Sequence, residues 1–286
     1  MDKIIGLRID TDTLLGYKNG VVPLLKLLRK LDIKATFFIV AGYDTPFRVL
    51  QRVFKERGFC KRLFRIERVF PFKMFLSCGL TFKKIVGKIN GEGHKIGLHG
   101  YHHFDWQIHI REWTSERVDI EMSKAVECFK NYTGFYPSSF AAPGWVTKEQ
   151  VFLAEERFDF DYCSDTRGSF PFYPILDKRK LKTLQIPVTL QTLDELVSLG
   201  TARELVDMEV KPGDVYCAHA EFDGMQYINL FEQFLKRKLE EGYRFIPLSE
   251  MKQHLNRIST SNVVYRKIPG RTNIIAHQGK TEDSRQ

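Results

Sequence analysis

The sequence predicts an α/β protein, and two observations carry this prediction. Apolar runs of strand length alternate along the chain with segments whose apolar residues recur at helical spacing. The first unit, residues 3–40, reads strand, helix, strand, which favours parallel pairing through a right-handed crossover. Because this alternation continues over most of the 286 residues, we expect an incomplete α/β barrel.

The elements follow from local patterns, taken in chain order. Residues 3–9 (KIIGLRI) and 34–40 (KATFFIV) are apolar runs typical of buried strands, and residues 20–31 (GVVPLLKLLRKL) have helical spacing. A helix is expected over residues 114–131, beginning at Thr114. Further strands are expected at 94–98, 138–142, 159–164, 184–190, 214–219 and 243–246, and a further helix at 225–241.

One segment interrupts the alternation and another ends it. Residues 46–90 contain twelve Lys or Arg residues and eight phenylalanines, interleaved as in FRVLQRVFKERGFCKRLFRIERVF, which predicts one or two amphipathic helices with a basic face. From about Val263 the chain becomes polar, so residues 261–286 are predicted to be a disordered tail. We therefore expect a single catalytic domain over residues 1–260 that carries residues 46–90 as an insertion.

The net charge of +9 indicates a polyanionic neighbour, either nucleic acid, anionic lipid or a phosphorylated substrate, unless it serves solubility alone. No helix-turn-helix, zinc-finger or RNA-binding signature is present, which argues against nucleic acid. In residues 46–90, phenylalanines suit the acyl boundary of an anionic membrane and Lys or Arg its headgroups. The alternative is a helical insertion that packs on the barrel with a solvated basic face.

Cysteine usage and the N-terminal sequence predict the compartment. The five cysteines are odd in number and form no CxxC pair, so we expect free thiols in a reducing compartment. No signal-peptide core precedes Gly6, and no apolar run reaches the ~18 residues of a spanning helix. We expect a peripheral protein on the cytoplasmic side of the inner membrane, and we infer no protein partner.

Asp10 and Asp12 lie at the carboxyl end of the first predicted strand, where barrel and open α/β proteins place their sites. One carboxylate can bind a metal ion while the other accepts a proton. Alone, an Asp-x-Asp pattern at a strand end is more often a turn or a helix cap.

Three histidines follow the strand at 94–98. His99 and His103 are four residues apart, so on a helical turn both imidazoles reach one point, as metal ligands do. The alternative is two unrelated surface histidines, and His102 at the i+3 position can replace His103. Imidazole with a carboxylate suits zinc, cobalt or manganese. His219 ends another apolar strand, where a structural role competes with that of a proton donor.

Together these segments resemble the NodB-type polysaccharide deacetylases, and most closely the ArnD family of 4-deoxy-4-formamido-L-arabinose-phosphoundecaprenol deformylases. The superfamily pattern lies in residues 6–13 (GLRIDTDT), 97–107 (GLHGYHHFDWQ) and 216–224 (YCAHAEFDG). The deformylase branch is indicated by residues 162–174 (YCSDTRGSFPFYP) and 184–195 (LQIPVTLQTLDE). The resemblance runs from about residue 3 to residue 250, and it implies a distorted (β/α) barrel with fewer than eight regular strands.

The resemblance also implies roles. One divalent metal ion, whether zinc, cobalt or manganese, is expected to bind Asp12, His99 and His103, with Asp10 as general base and His219 as general acid. The implied substrate is undecaprenyl-phosphate-linked 4-deoxy-4-formamido-L-arabinose, and the products are formate and an amino sugar for lipid A modification. Alternatives are an N-deacetylase or amidohydrolase for another acylamino sugar or a cyclic ureide, or a non-enzymatic membrane-surface protein.

One departure from the superfamily pattern concerns the surroundings of the base. Many deacetylases have an Arg-x-Pro motif whose arginine orients the base, but Ala141 occupies that position here. Arg167 or Arg8 can replace the missing cation, and Asp165 can tune the general acid. Backbone amides near Pro143, Gly144 and Trp145 are expected to help hold the oxyanion.

Overall fold

The computed structural model describes residues 2–42, 78–254 and 258–282, which form a mixed α/β fold around one sheet. The strands are β1 (Ile4–Thr11), β2 (Thr36–Ile39), β3 (Lys95–Leu98), β4 (Ser139–Phe140), β5 (Tyr162–Cys163), β6 (Phe172–Leu176), β7 (Arg179–Lys180), β8 (Leu184–Gln185), β9 (Asp214–His219), β10 (Arg244–Ile246), β11 (Ser259–Arg266) and β12 (Ile275–Glu282). The helices are α1 (Val21–Lys30), α2 (Cys78–Gly91), α3 (His103–His109), α4 (Ser115–Thr133), α5 (Glu149–Arg157), α6 (Leu193–Leu199), α7 (Ile228–Glu240) and α8 (Leu248–Met251).

The N-terminal strand β1 is an interior strand of the sheet, with neighbours on both edges. All eight of its residues are buried, as expected for a parallel strand covered on both faces. It pairs in parallel with β9 along one edge, and with β10 and then β2 along the other. The register places Asp10 opposite His219, so two of the predicted site residues lie on adjacent strands at the same end.

Eight strands form the all-parallel part of the sheet, in the order β9, β1, β2, β3, β4, β5, β8, with β10 beside the first half of β1. The stretch after β8 returns to β9, where the Thr189 and Leu190 amides donate to the Val215 carbonyl at 3.2 Å. This contact does not extend into a strand pair within the described residues. The fold is therefore an incomplete barrel, as the sequence predicted.

Helices cover the outside of this sheet. α1 connects β1 to β2 and buries Leu24 and Leu28, four residues apart on one face. α4 begins after Thr114, whose hydroxyl accepts a hydrogen bond from the Arg117 amide at 3.3 Å. It ends before Gly134, whose φ of 87° is the left-handed conformation that favours glycine.

α2 is the described part of the basic, phenylalanine-rich segment. Phe82 packs in the core between the rings of Tyr17 and Tyr132, at centroid distances of 4.1 and 5.3 Å. Lys83 and Lys84 are exposed. This part of the segment therefore packs on the barrel with a solvated basic face, the alternative that the sequence left open. The rest of that prediction, over residues 46–77, lies outside the described residues.

The predicted disordered tail is wrong over residues 261–282. β11 and β12 pair as an antiparallel hairpin, and β11 also pairs in parallel with β6. The hairpin packs on the barrel because Ile275 and Ala276 are fully buried and the Arg167 amide donates to the Ala276 carbonyl at 3.0 Å. The polar composition of this segment predicted an exposed tail. A hairpin needs only a few buried apolar residues to pack on the barrel, and here Ile275 and Ala276 are enough.

Other differences from the sequence prediction concern element lengths. The runs at 138–142, 159–164 and 184–190 contain regular strands of two residues each. Backbone hydrogen bonds continue beyond them without a regular ladder, for example from the Ser164 amide to the Phe140 carbonyl at 2.9 Å. α5, α6 and the β6–β7 hairpin were not predicted.

Candidate active site

The carboxyl ends of the parallel strands bring the candidate site residues together. Asp10 is the next-to-last residue of β1, and Asp12 follows the strand end. His99 follows β3, and His219 ends β9. Parallel strands present these ends at one edge of the sheet, which is where ligands bind in such folds.

Asp12, His99 and His103 form a cluster whose ligand atoms lie within 4.8 Å of one another. The two oxygens of Asp12 each face one imidazole, with Oδ1 3.3 Å from Nε2 of His99 and Oδ2 3.3 Å from Nε2 of His103. Burial alone would raise the pKa of Asp12, but the two imidazoles hold it below its usual value.

The donor atoms of this cluster suit a divalent metal ion. The Ala141 carbonyl, an acceptor, lies 2.7 Å from Nδ1 of His99, so that nitrogen carries the proton and Nε2 presents its lone pair. Nε2 of His99 and Oδ1 of Asp12 are buried without a hydrogen-bond partner among the described residues. Two imidazole nitrogens and a carboxylate are a ligand set of zinc and related metals.

The helical-turn argument for the two histidines is wrong in its geometry. His99 lies in the extended stretch after β3, and His103 is the first residue of α3. Gly100, with φ at 75°, turns the chain between them, and the ring centroids come within 5.3 Å. His102 instead packs against Tyr101 at 4.4 Å, so His103 is the residue that reaches Asp12.

Asp10 is held by Arg8, which lies two residues earlier on the same face of β1. Nε of Arg8 donates to Oδ1 of Asp10 at 2.7 Å, and Nη2 donates to Oδ2 at 2.6 Å. Both side chains are almost fully buried. Burial would raise the pKa of Asp10, but Arg8 and then His99 lower it below the usual value. Arg8 thus places a cation beside Asp10, although Ala141 occupies the position of the Arg-x-Pro arginine.

Arg167, the other predicted replacement, lies elsewhere. Its Nη1 pairs with Oε1 of Glu195 at 2.6 Å, and Nη2 donates to the Leu190 carbonyl at 2.6 Å. Its guanidinium carbon lies 5.1 Å from the centroid of the Trp145 ring. Arg8 and Arg271 face the same ring at 5.3 and 4.6 Å, so three guanidinium groups surround one indole.

The carboxylate beside His219 is Asp194, and the prediction of Asp165 for this position is wrong. Oδ1 of Asp194 lies 3.3 Å from Nδ1 of His219, and its Oδ2 pairs with Nη2 of Arg271 at 2.9 Å. Burial lowers the pKa of His219, but Asp194, Asp12 and Asp10 raise it above the usual value. The imidazolium form is therefore favoured in a buried position.

Asp165 has a different role. Its Oδ1 accepts a hydrogen bond from the Ala142 amide at 2.5 Å, next to the carbonyl that holds His99. Its side chain also lies in a buried cluster with Glu155 and Cys163. Burial and then Asp165 raise the pKa of Glu155 well above its usual value. Asp165 therefore positions the chain after β4.

The stretch Pro143–Trp145 is a single 3₁₀ turn. Pro143 has no N–H, and the Trp145 amide donates to the Ala142 carbonyl at 3.1 Å. Gly144 has φ at 61°, and a Cβ there would lie 2.3 Å from Nε2 of Gln107. The left-handed backbone at this position favours glycine.

Three site residues were missed from the sequence: Asp194, Glu221 and Arg271. Asp194 and Glu221 lie within segments that carry the resemblance, DE at 194–195 and HAE at 219–221, so the motifs held a signal. Arg271 comes from the connection between β11 and β12, which the sequence analysis treated as tail. Nothing in the local pattern marked it.

Comparisons with known proteins show the family to which this chain is similar. The polysaccharide deacetylase family model matches residues 2–163, more than half of the chain. A protein of Wigglesworthia glossinidia brevipalpis bearing the name 4-deoxy-4-formamido-L-arabinose-phosphoundecaprenol deformylase ArnD is 34% identical over 93% of this chain and 99% of its own length. A protein of the same name from Shewanella sediminis is 30% identical over 96% of this chain and 94% of its own.

Solved structures support the fold at lower sequence identity. The peptidoglycan N-acetylglucosamine deacetylase Bc1960 superposes with a TM-score of 0.56 at 18% identity, covering 87% of this chain and 88% of that one. A mutant of the peptidoglycan deacetylase PdaC from Bacillus subtilis gives 0.54 at 11% identity, over 88% and 91%.

Proposed function

Because the chain belongs to the polysaccharide deacetylase family, with ArnD deformylases among its full-length relatives, we propose that it removes the formyl group from undecaprenyl-phosphate-linked 4-deoxy-4-formamido-L-arabinose. The products are formate and the free amino sugar. The observation that carries a hydrolytic role is the assembly, at one sheet edge, of a buried carboxylate, a metal-ligand cluster and a histidine that favours its charged form.

A divalent ion held by Asp12, His99 and His103 would polarise the formamide oxygen and lower the pKa of a bound water. Asp10 accepts the proton of the water that attacks the formyl carbon. Its pairing with Arg8 keeps it ionised and aims both its oxygens, which lets it act as a base in a buried position. The Gly144 amide donates to the oxyanion that forms on the former carbonyl oxygen.

His219 protonates the departing sugar amine. A general acid must hold its proton at working pH, and Asp194 favours the charged imidazole from 3.3 Å away. Arg271 pairs with the same carboxylate and keeps Asp194 anionic. The Asp194 carboxylate thereby lies between Arg271, which stays charged, and His219, which releases its proton during the reaction.

The lipid-phosphate substrate places the reaction at a membrane surface. The basic, phenylalanine-rich segment 46–90 supports peripheral attachment to anionic headgroups, on the cytoplasmic side of the inner membrane as predicted from sequence. None of the described helices has the length and apolarity to cross a membrane.

The test is release of formate from a polyprenyl-phosphate-linked formamido-arabinose by metal-loaded protein. Asp10→Ala and His99→Ala are expected to release none, because the first removes the base and the second a metal ligand. His102→Ala is the matched control, since that imidazole packs on Tyr101 and the metal cluster does not contain it. It is expected to retain formate release.

A second candidate is an N-deacetylase for another acylamino sugar, which the similarity to peptidoglycan deacetylases favours. Acetate from an N-acetylated sugar, with no formate from the formamido substrate, would identify it. No product from either substrate would support a binding protein on a hydrolase scaffold.

A further inference from the structure

Glu221 lies two residues beyond His219 and connects the end of β9 to the turn that carries Asp12. Its Oε1 accepts three hydrogen bonds: from the Asp12 amide at 3.1 Å, from the Thr13 amide at 2.8 Å and from the Thr13 hydroxyl at 2.8 Å. The side chain is buried. One carboxylate oxygen therefore fixes the backbone on both sides of the Asp12 carbonyl.

We propose that Glu221 is a positioning residue for the metal ligand Asp12, an inference that rests on the proposed metal centre. Asp12 lies past the end of β1, so the strand pairing that orders Asp10 and Thr11 does not extend to it. Its carboxylate nevertheless aims one oxygen at each imidazole at 3.3 Å. The Glu221 hydrogen bonds hold the backbone from which that carboxylate projects.

The surrounding chain leaves room for the Glu221 carboxylate. A Cβ on Gly16 would lie 2.1 Å from Oε1 of Glu221 and 2.5 Å from its Cδ, so glycine leaves the space that Glu221 fills. The Gly16 amide in turn donates to the Thr13 hydroxyl at 3.1 Å. A Cβ on Gly20 would lie 2.0 Å from the Ala220 carbonyl, which brings the two segments into backbone contact.

This arrangement also couples two functions. Glu221 and His219 share the end of β9, whereas Asp12 follows β1. Because Glu221 bridges the two strand ends, it fixes the spacing between the metal ligand and the general acid. A shift of the Asp12 turn would change both the metal geometry and the distance over which the departing amine receives its proton.

The test separates the position of the acceptor from its charge. Glu221→Gln keeps an oxygen at the Oε1 position without the charge, whereas Glu221→Asp keeps the charge and withdraws the oxygen by one methylene. The dissociation constant for Zn²⁺ is measured by competition with a chromophoric chelator, on wild type and both variants. Thermal midpoints of the metal-free proteins are measured alongside.

We expect Glu221→Asp to weaken Zn²⁺ binding about 10-fold to 100-fold, as is typical when a ligand loses its outer support, and Glu221→Gln to stay within about threefold of wild type. Gly16→Ala is expected to weaken binding like Glu221→Asp, because its Cβ displaces the carboxylate. Asp223→Asn is the matched control, since that buried carboxylate contacts the His219 amide at 2.8 Å and the Tyr216 hydroxyl, on the same loop. It is expected to bind Zn²⁺ as wild type does.

The positioning role would be overturned if Glu221→Asp bound Zn²⁺ with wild-type affinity. It would also be overturned if Glu221→Gln bound Zn²⁺ more weakly than Glu221→Asp. If the metal-free midpoints fall together while the affinities stay equal, Glu221 only stabilises the fold and the proposal fails. Wild-type protein that binds no Zn²⁺, Co²⁺ or Mn²⁺ would instead refute the metal centre of the proposed function, a result distinct from failure of the Glu221 role.

Discussion

The buried pair of Arg8 and Asp10 gives the sharpest prediction, through the substitution Arg8→Met. The change keeps side-chain length but removes both hydrogen bonds to Asp10, at 2.7 and 2.6 Å, together with those to the carbonyl and hydroxyl of Ser164. Removing one partner of a buried pair costs about 3–5 kcal/mol because it leaves a charge uncompensated. With an unfolding entropy of about 2.1 cal/mol/K per residue over 286 residues, that is a fall of about 5–8 °C in the unfolding midpoint.

The unfolding free energy that Arg8→Met loses depends on pH, and the pKa of Asp10 fixes the direction of this dependence. Arg8 helps hold the pKa of Asp10 below its ordinary 3.8, so the pair contributes stability above that value and loses it as pH falls through the folded-state pKa. The gap in unfolding free energy between wild type and Arg8→Met is therefore full at neutral pH and narrows in acid. Urea denaturation of metal-free protein at several pH values measures it.

The rate of formate release by Arg8→Met should also fall. Without the guanidinium, burial raises the pKa of Asp10, so the acid limb of the kcat/KM profile for formate release moves to higher pH. The rate at neutral pH is expected to fall by up to the 10²-fold to 10⁴-fold that a general base contributes.

Arg167→Met is the matched control, because Arg167 is also buried and faces the Trp145 ring, but pairs with Glu195. It should lose stability without moving the acid limb. An unchanged unfolding midpoint in Arg8→Met, or the same shift of the limb in both variants, would refute the assignment of Arg8 as the partner of the base.

Two further predictions concern buried carboxylates. Asp194→Asn removes an anion that raises the pKa of His219. The alkaline limb of the kcat/KM profile should therefore move to lower pH while the acid limb stays in place. An unmoved alkaline limb would exclude His219 as the acid that Asp194 supports. Glu155→Gln should change the unfolding free energy by less than about 1 kcal/mol below pH 4.5, where the Glu155 carboxyl is protonated in both the folded and the unfolded protein and an amide replaces a neutral group. Since unfolded Glu155 ionises near its ordinary 4.5, wild-type stability falls as pH rises above that value, and the variant should lack this part of the decline in urea titrations. A loss of several kcal/mol in Glu155→Gln at neutral pH would instead mean that Glu155 is ionised in the folded protein.

The residues at strand ends could be predicted from sequence because parallel strands present their carboxyl ends at one edge. Asp10, Asp12, His99 and His219 all follow apolar runs, so their convergence needs only the α/β fold class. His103 reaches Asp12 by a route that the sequence did not predict, since a glycine turn and a helix start bring it there.

The partners of those residues were harder to predict, because pairing depends on register and on distant chain segments. Arg8 was one of two arginines considered, although an Arg-x-Asp pattern on one strand face already favours it. Asp194 and Arg271 meet across 77 residues, and Arg271 belongs to a stretch without apolar periodicity. Such a contact follows from the path of the hairpin over the barrel, which composition does not encode.

The pairing of β1 with β9 has a consequence for how the protein acquires its activity. Asp12 and Glu221 are 209 residues apart, and Asp10 faces His219 across the same pair of strands. Contacts between such distant segments require closing a long loop and form slowly. The unfolded chain can offer His99 and His103 as neighbours but not Asp12, so it should bind metal weakly. Metal that binds mainly the folded form then raises stability with concentration, by RT ln(1 + [metal]/Kd), and links metal supply to the lifetime of the enzyme.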